Sequence, residues 1–138
     1  MRKKMKRSLI ILFSLLLTSQ LTHAQECLLS GKWKANKEKT IESIAKSKAL
    51  NKEQKEFFIK NTTGNSIIEN TCKDFTMHIN DKVFNVKLLN LKEEGNTAIT
   101  EYYSNTAKRI ISRKSILLGE CYYVENGYGF NEYYCKNN

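Results

Sequence analysis

The four cysteines and one histidine have the strongest chemistry available to this chain, and their spacing limits it. Cys27, Cys72, Cys121 and Cys135 are separated by 45, 49 and 14 positions, with no Cys-x-x-Cys pair. That spacing does not describe a zinc site. Beyond the first 24 residues His78 stands alone, which excludes a histidine-rich metal site and points to a residue on the polar side of a strand. A Ser-His-acid triad would need His78 as its base. Asp74 and Asp81 lie near it, but no Gly-x-Ser-x-Gly nucleophile elbow is present. A Cys-His nucleophile conflicts with paired cysteines. Glu93-Glu94 falls at a turn, the place of a solvated loop rather than a pair of glycosidic carboxylates. No Gly-rich phosphate loop occurs. The chain therefore reads as a protein without cofactor or metal, and not as an enzyme.

The cysteines take their meaning from the start of the chain. Arg2, Lys3, Lys4, Lys6 and Arg7 precede an apolar run from Leu9 to Leu17, and Thr22-His23-Ala24 follows. A basic start, a short apolar stretch and small residues at −3 and −1 form a cleavable secretory signal. The apolar run is shorter than the ~20 residues that span a bilayer, so no membrane span is expected after cleavage. Residues 1–24 are read as the signal and 25–138 as one domain, beginning at Gln25. Gln25-Glu26 before Cys27 does not match a lipidation signal. Export favours disulfides, and four cysteines allow three pairings. The expected pairs are Cys121 with Cys135 across a hairpin, and Cys27 with Cys72, tying the first strand to the one after the helices. The whole chain carries a formal charge of +9. Without the signal, 18 basic and 14 acidic residues remain. That mild excess is not the basic field of a nucleic-acid binder.

Around these residues the pattern places short elements. Leu28–Trp33 reads as a strand. Ile41, Ile44, Ala45 and Lys48 share a helical face, with Thr40 or Asn36 as cap. Asn51 followed by Gln54 resembles a capping box and opens a second helix carrying Phe57, Phe58 and Ile59. Thr63-Gly64-Asn65 is expected to end that helix with a glycine signal. From Ser66 the period shifts to two. Phe75, Met77 and Ile79 form one run, then Phe84, Val86 and Leu88, expected on the buried face, with a turn at Asn80-Asp81 between them. Glu93–Asn96 is the next turn, and Ser104-Asn105 breaks the following strand. Arg109–Ile111 and Ile116–Leu118 read as two short runs. Asn126-Gly127 between Cys121–Val124 and Phe130–Tyr134 is the clearest hairpin signal, with a three-residue loop at Gly127-Tyr128-Gly129. The expected class is α+β, mainly antiparallel β. It is a meander or barrel-like sheet with an early two-helix insert.

Gly31-Lys-Trp33 near the start of a small exported β-domain resembles the Gly-x-Trp motif of lipocalin-like proteins. The resemblance implies a lipocalin-like barrel with Trp33 packed across one end and a late basic residue, Lys136, stacked on it. The helices come earlier than that family places its helix. This departure weighs against a classical ligand-filled cavity.

All seven tyrosines lie in the last third of the chain. Most are expected in cross-strand packing. Tyr128, between two glycines at a hairpin tip, has no neighbouring side chain to cover it and is a candidate binding residue, with Trp33 the second. Lys108, Arg109, Arg113 and Lys114 read as the charged guard of an edge strand. Function is expected to be binding: a periplasmic or secreted lipocalin-like protein that takes a small apolar ligand or a protein partner. The alternative is a periplasmic immunity or inhibitor protein that blocks a toxin or hydrolase. A barrel lined by small apolar groups favours a ligand; a filled core with a protruding aromatic loop favours a protein partner.

Overall fold

The computed structural model describes residues 26–137; the signal expected at 1–24 and the cleavage expected before Gln25 lie outside the described residues. Eight antiparallel strands close into a barrel, each bonded to its sequence neighbours and the last to the first. In chain order they are β1 Gly31–Ala35, β2 Ile67–Asn70, β3 Asp74–Ile79, β4 Lys82–Glu94, β5 Thr97–Ser104, β6 Arg109–Leu118, β7 Cys121–Glu125 and β8 Asn131–Lys136. Two helices, α1 Lys37–Lys46 and α2 Lys52–Asn61, lie between β1 and β2. The expected α+β class and early helical insert are both present.

Local chemistry starts each helix. The Asn36 side chain accepts from the Lys39 N–H at 2.9 Å and caps α1. At α2 the reciprocal box forms: Asn51 Oδ1 accepts from Gln54 N, and Gln54 Oε1 accepts from Asn51 N, both at 2.9 Å. The expected glycine stop does not form. Extended Thr62 caps α2 instead, and Gly64 is not among the positive-φ glycines. Nothing at Gly64 requires a left-handed turn, because the chain is already leaving for β2.

The barrel core contains Leu29, Trp33, Ile68, Phe75, Ala98, Tyr122, Val124 and Tyr134. Ile44, Leu50 and Phe130 form a smaller cluster beneath the helices, edged by Phe58 and Ile59. Val86 and Leu88 pack against the main core as the period-two pattern predicts, but Phe84 does not and is 47% exposed. It lies near the turned end of β4, beyond the packed part of the barrel. A bulge between Leu88 and Asn90 then brings Leu91 to the core.

Other boundaries also moved. Leu28 and Leu29 form a turn before β1 rather than part of it. Arg109–Ile111 and Ile116–Leu118 are the two ends of one continuous strand, β6. Its polar middle, Ser112–Ser115, is still fully paired with β5. β6 pairs with β5 along Arg109–Ile116 but with β7 only over Ser115–Leu118, so the stretch that carries Arg109, Arg113 and Lys114 has a strand neighbour on one side only, as an edge does.

The two ends of the barrel differ. Cys27 precedes β1 and bonds Cys72 in the β2–β3 turn; Cys121 begins β7 and bonds Cys135, its direct partner in β8. Both disulfides therefore tie the same end, and both match the expected pairs. The helices, the Asn80-Asp81 turn and the Asn126–Phe130 loop occupy the opposite end. Among the described residues no helix is long and apolar enough to cross a membrane.

Candidate functional site

The β7–β8 loop is built around one side chain. Asn126 Oδ1 accepts from Tyr128 N at 3.0 Å, and Asn126 N donates to Phe130 O at 3.2 Å. Gly129 then turns at φ +90. The result is the expected three-residue loop, in which a turn is followed by a left-handed glycine. An alanine at Gly129 would place its Cβ 2.6 Å from Ala49 Cβ. The glycine is thus demanded both by φ and by the close approach of the α1–α2 linker.

This geometry pushes Tyr128 outward. It is 65% exposed, and its ring meets Phe58 of α2 at 5.1 Å. Phe58 also contacts Phe57 at 5.5 Å and Phe130 at 4.9 Å. Phe57 is 60% exposed. One aromatic surface therefore crosses from helix to hairpin, anchored by Phe130 in the core below. Tyr128 was singled out by its flanking glycines. Phe57 and Phe58 were visible as the sticky side of the second helix, but their meeting with Tyr128 is a contact between distant segments. Beside this surface is a pocket of about 280 Å³ lined by Phe58, Asn126, Tyr128, Phe130, Glu132 and Tyr134, among others.

Trp33 has a different place. It is 1% exposed, its indole N–H donates to Leu29 O at 2.9 Å, and its ring meets Tyr122 edge-on at 4.9 Å. It is a core residue, out of reach of a partner. Lys136 is opposite Trp33 in the β1–β8 register but is exposed, with its ammonium 3.8 Å from Glu120. The ring packed on Trp33 is Tyr122, not a basic side chain.

The interior is largely filled, and it is polar in the middle. Register places Tyr122 opposite Tyr134, and the rings stack at 5.2 Å. The Arg113 guanidinium lies 5.5 Å from the Tyr134 ring centre, within cation–π range. Its Nη2 is buried without a hydrogen-bond partner. Burial works against the Arg113 charge, but Tyr122, Tyr134, Tyr102 and Glu132 outweigh it and raise the pKa, so the guanidinium stays charged. Burial pushes the Tyr122 hydroxyl up to about 12, with the Arg113 charge opposing, and raises Tyr134 in the same way. The inner space beside them measures only about 20 Å³. Sequence reading grouped Arg113 with Lys114 as surface charge. Strict alternation along an unbroken β6 is the signal that would have turned Arg113 inward.

His78 is half-buried rather than a plain surface residue, and its Nε2 is buried without a hydrogen-bond partner. Among the described residues no group of three or more His, Cys, Asp or Glu side chains is arranged to hold a metal ion. No protein-family model, curated protein or solved structure matches the chain.

Proposed function

We propose that this is an exported, lipocalin-like, non-enzymatic binding module that grips a protein partner with the helix end of its barrel. In this reading it works as a periplasmic or secreted immunity or inhibitor protein does, by covering a functional surface of a toxin or hydrolase. The observation that carries the proposal is the exposed Tyr128 ring resting on Phe58 beside exposed Phe57. Clustered exposed aromatics are the side chains most enriched among interface hot spots. The small interior supports the same reading: a space of about 20 Å³ has room for one water, not for an apolar ligand. Two disulfides fit a domain that works outside the reducing cytoplasm.

A second reading keeps the small apolar ligand but moves it out of the barrel. The pocket of about 280 Å³ under Phe58 and Tyr128 is near the lower limit for ligand sites, which start at roughly 300 Å³.

Tyr128→Ala tests the first reading. A protein partner captured from periplasmic extract and then purified should bind the variant at least ~30-fold more weakly, the equivalent of a hot spot of about 2 kcal/mol. The melting temperature should stay where it was, because exposed loop substitutions fall within about 0.5 kcal/mol. A variant that unfolds would make Tyr128 structural. One that binds normally would remove it from the interface.

A further inference from the structure

We infer that the barrel interior holds a small monovalent anion, of the size and charge of chloride, against Arg113. This site is separate from the aromatic surface and does not depend on it.

The inference starts from an imbalance of charge. Arg113 is a half-buried residue that enters the barrel from the middle of β6, and its Nη2 is buried with no hydrogen-bond partner. Ion pairs among the described residues join Lys32 to Glu69, Lys46 to Glu42 and Lys136 to Glu120; Arg113 is in none of them. The Glu132 charge acts on Arg113, but its carboxylate accepts from the Tyr134 hydroxyl at 3.4 Å and forms no direct ion pair with the guanidinium. Tyr134 meets the guanidinium twice, with its ring 5.5 Å from the guanidinium carbon and with its hydroxyl, but neither contact reaches Nη2. A buried charge that lacks a paired counter-charge is costly, and proteins supply one or neutralise the group. Arginine cannot neutralise itself by losing a proton at ordinary pH.

Space and lining fit the missing charge. A cavity of about 20 Å³ adjoins Arg113, with Asn70, Thr100, Ser115 and Tyr122 on its polar side and Leu29, Ile68 and Phe75 on the other. Ser115 is 2% exposed and Tyr122 is 2% exposed, so neither reaches bulk water easily. Thr100 Oγ1 donates to Arg113 O at 3.5 Å and Asn70 is hydrogen-bonded to the Tyr122 hydroxyl, which leaves the Ser115 hydroxyl and the remaining Asn70 amide hydrogen to turn toward the centre. These donors join the guanidinium without adding any carboxylate to the lining. The volume admits one species near the size of water and excludes phosphate, carboxylic acids and larger ligands. Water would satisfy the orphaned N–H but leave the charge; a halide does both.

The test compares thermal unfolding of the intact, disulfide-bonded protein in sodium chloride and in sodium gluconate at matched ionic strength. The expected result is a higher melting temperature in chloride that saturates with concentration, and loss of that difference in Arg113→Met. Equal melting in the two salts, or a chloride effect that persists in Arg113→Met, would overturn the inference. For a readout independent of that variant's folding, crystals of the unaltered protein are also soaked in sodium bromide. An anomalous peak within hydrogen-bond reach of Arg113 Nη2 supports the site. Ordinary water density there, without anomalous signal, refutes it.

Discussion

At the residue scale the chain divides its tyrosines between two jobs. Tyr128 is held out of the molecule by Asn126 and Gly129, whereas Tyr122 and Tyr134 are stacked inside it. The inner pair gives a prediction that needs no partner. Tyr122 ionises near pH 10 when exposed and at about 12 in the fold, and Tyr134 moves upward too. A folded-state pKa raised above the unfolded one means stability that is complete below the unfolded pKa and is lost as pH rises through the folded pKa. Stability should therefore hold up to about pH 10 and fall as the pH approaches about 12. Absorbance at 295 nm should show a late-titrating tyrosine class, and Tyr122→Phe should shrink it. A single class titrating together near pH 10 would contradict the buried, stacked pair. Tyr128 was legible in the sequence because glycines flank it. Trp33 was equally conspicuous, yet a short motif says nothing about which way its ring faces, and register put it in the core.

At the scale of elements, the least legible feature is how α1 substitutes for a missing strand contact. β1 ends at Ala35, opposite Tyr134, so the first half of β8 has no strand on that side. Hydroxyls of α1 take up its backbone groups. Tyr133 N donates to Thr40 Oγ1 at 3.0 Å and Asn131 N donates to Ser43 Oγ at 2.8 Å. Just beyond the helix, Ser47 Oγ donates to Gly129 O at 2.8 Å. Thr40, Ser43 and Ser47 recur at helical spacing, which places all three on one face. The pattern was in the sequence, but hydroxyls on a helix face carry no hydrophobic signal and passed unnoticed. Thr40 was read only as a cap, a role that Asn36 fills. Ser43→Ala should leave the Asn131 N–H unpaired and cost about 1–3 kcal/mol, read as a lower urea midpoint with an unchanged slope. An unchanged midpoint would mean that water replaces the hydroxyl. Elements with a backbone signature were read best: the capping box at Asn51, the turn at Asn80-Asp81 and the hairpin at Asn126-Gly127. Elements defined by what lies across the sheet, such as continuous β6, were read worst. A strand whose middle is polar looks interrupted until its neighbours are known.

At the scale of the molecule, the protein is fastened at one end and adorned at the other. The disulfides close loops with separations of 45 and 14 positions at the end away from the helices. By loop-closure entropy they contribute about 4 and about 3 kcal/mol. Replacing Cys27 and Cys72 with serine should therefore lower the unfolding free energy more than replacing Cys121 and Cys135. The reverse order, measured by denaturant titration, would show that the chain-entropy account does not govern this barrel. The proposed binding surface is the helix end with Phe57, Phe58 and Tyr128, where exposed aromatic rings from a helix and a hairpin meet. Site-specific photo-crosslinking in cells that export the protein tests this most directly. A photoreactive amino acid is placed at Tyr128 and, in a second sample, at Leu118, which is 54% exposed at the disulfide end. A discrete protein adduct from position 128 and none from position 118 is the predicted result. Adducts of equal yield from both positions, or adducts from 118 alone, would contradict a binding surface at the helix end.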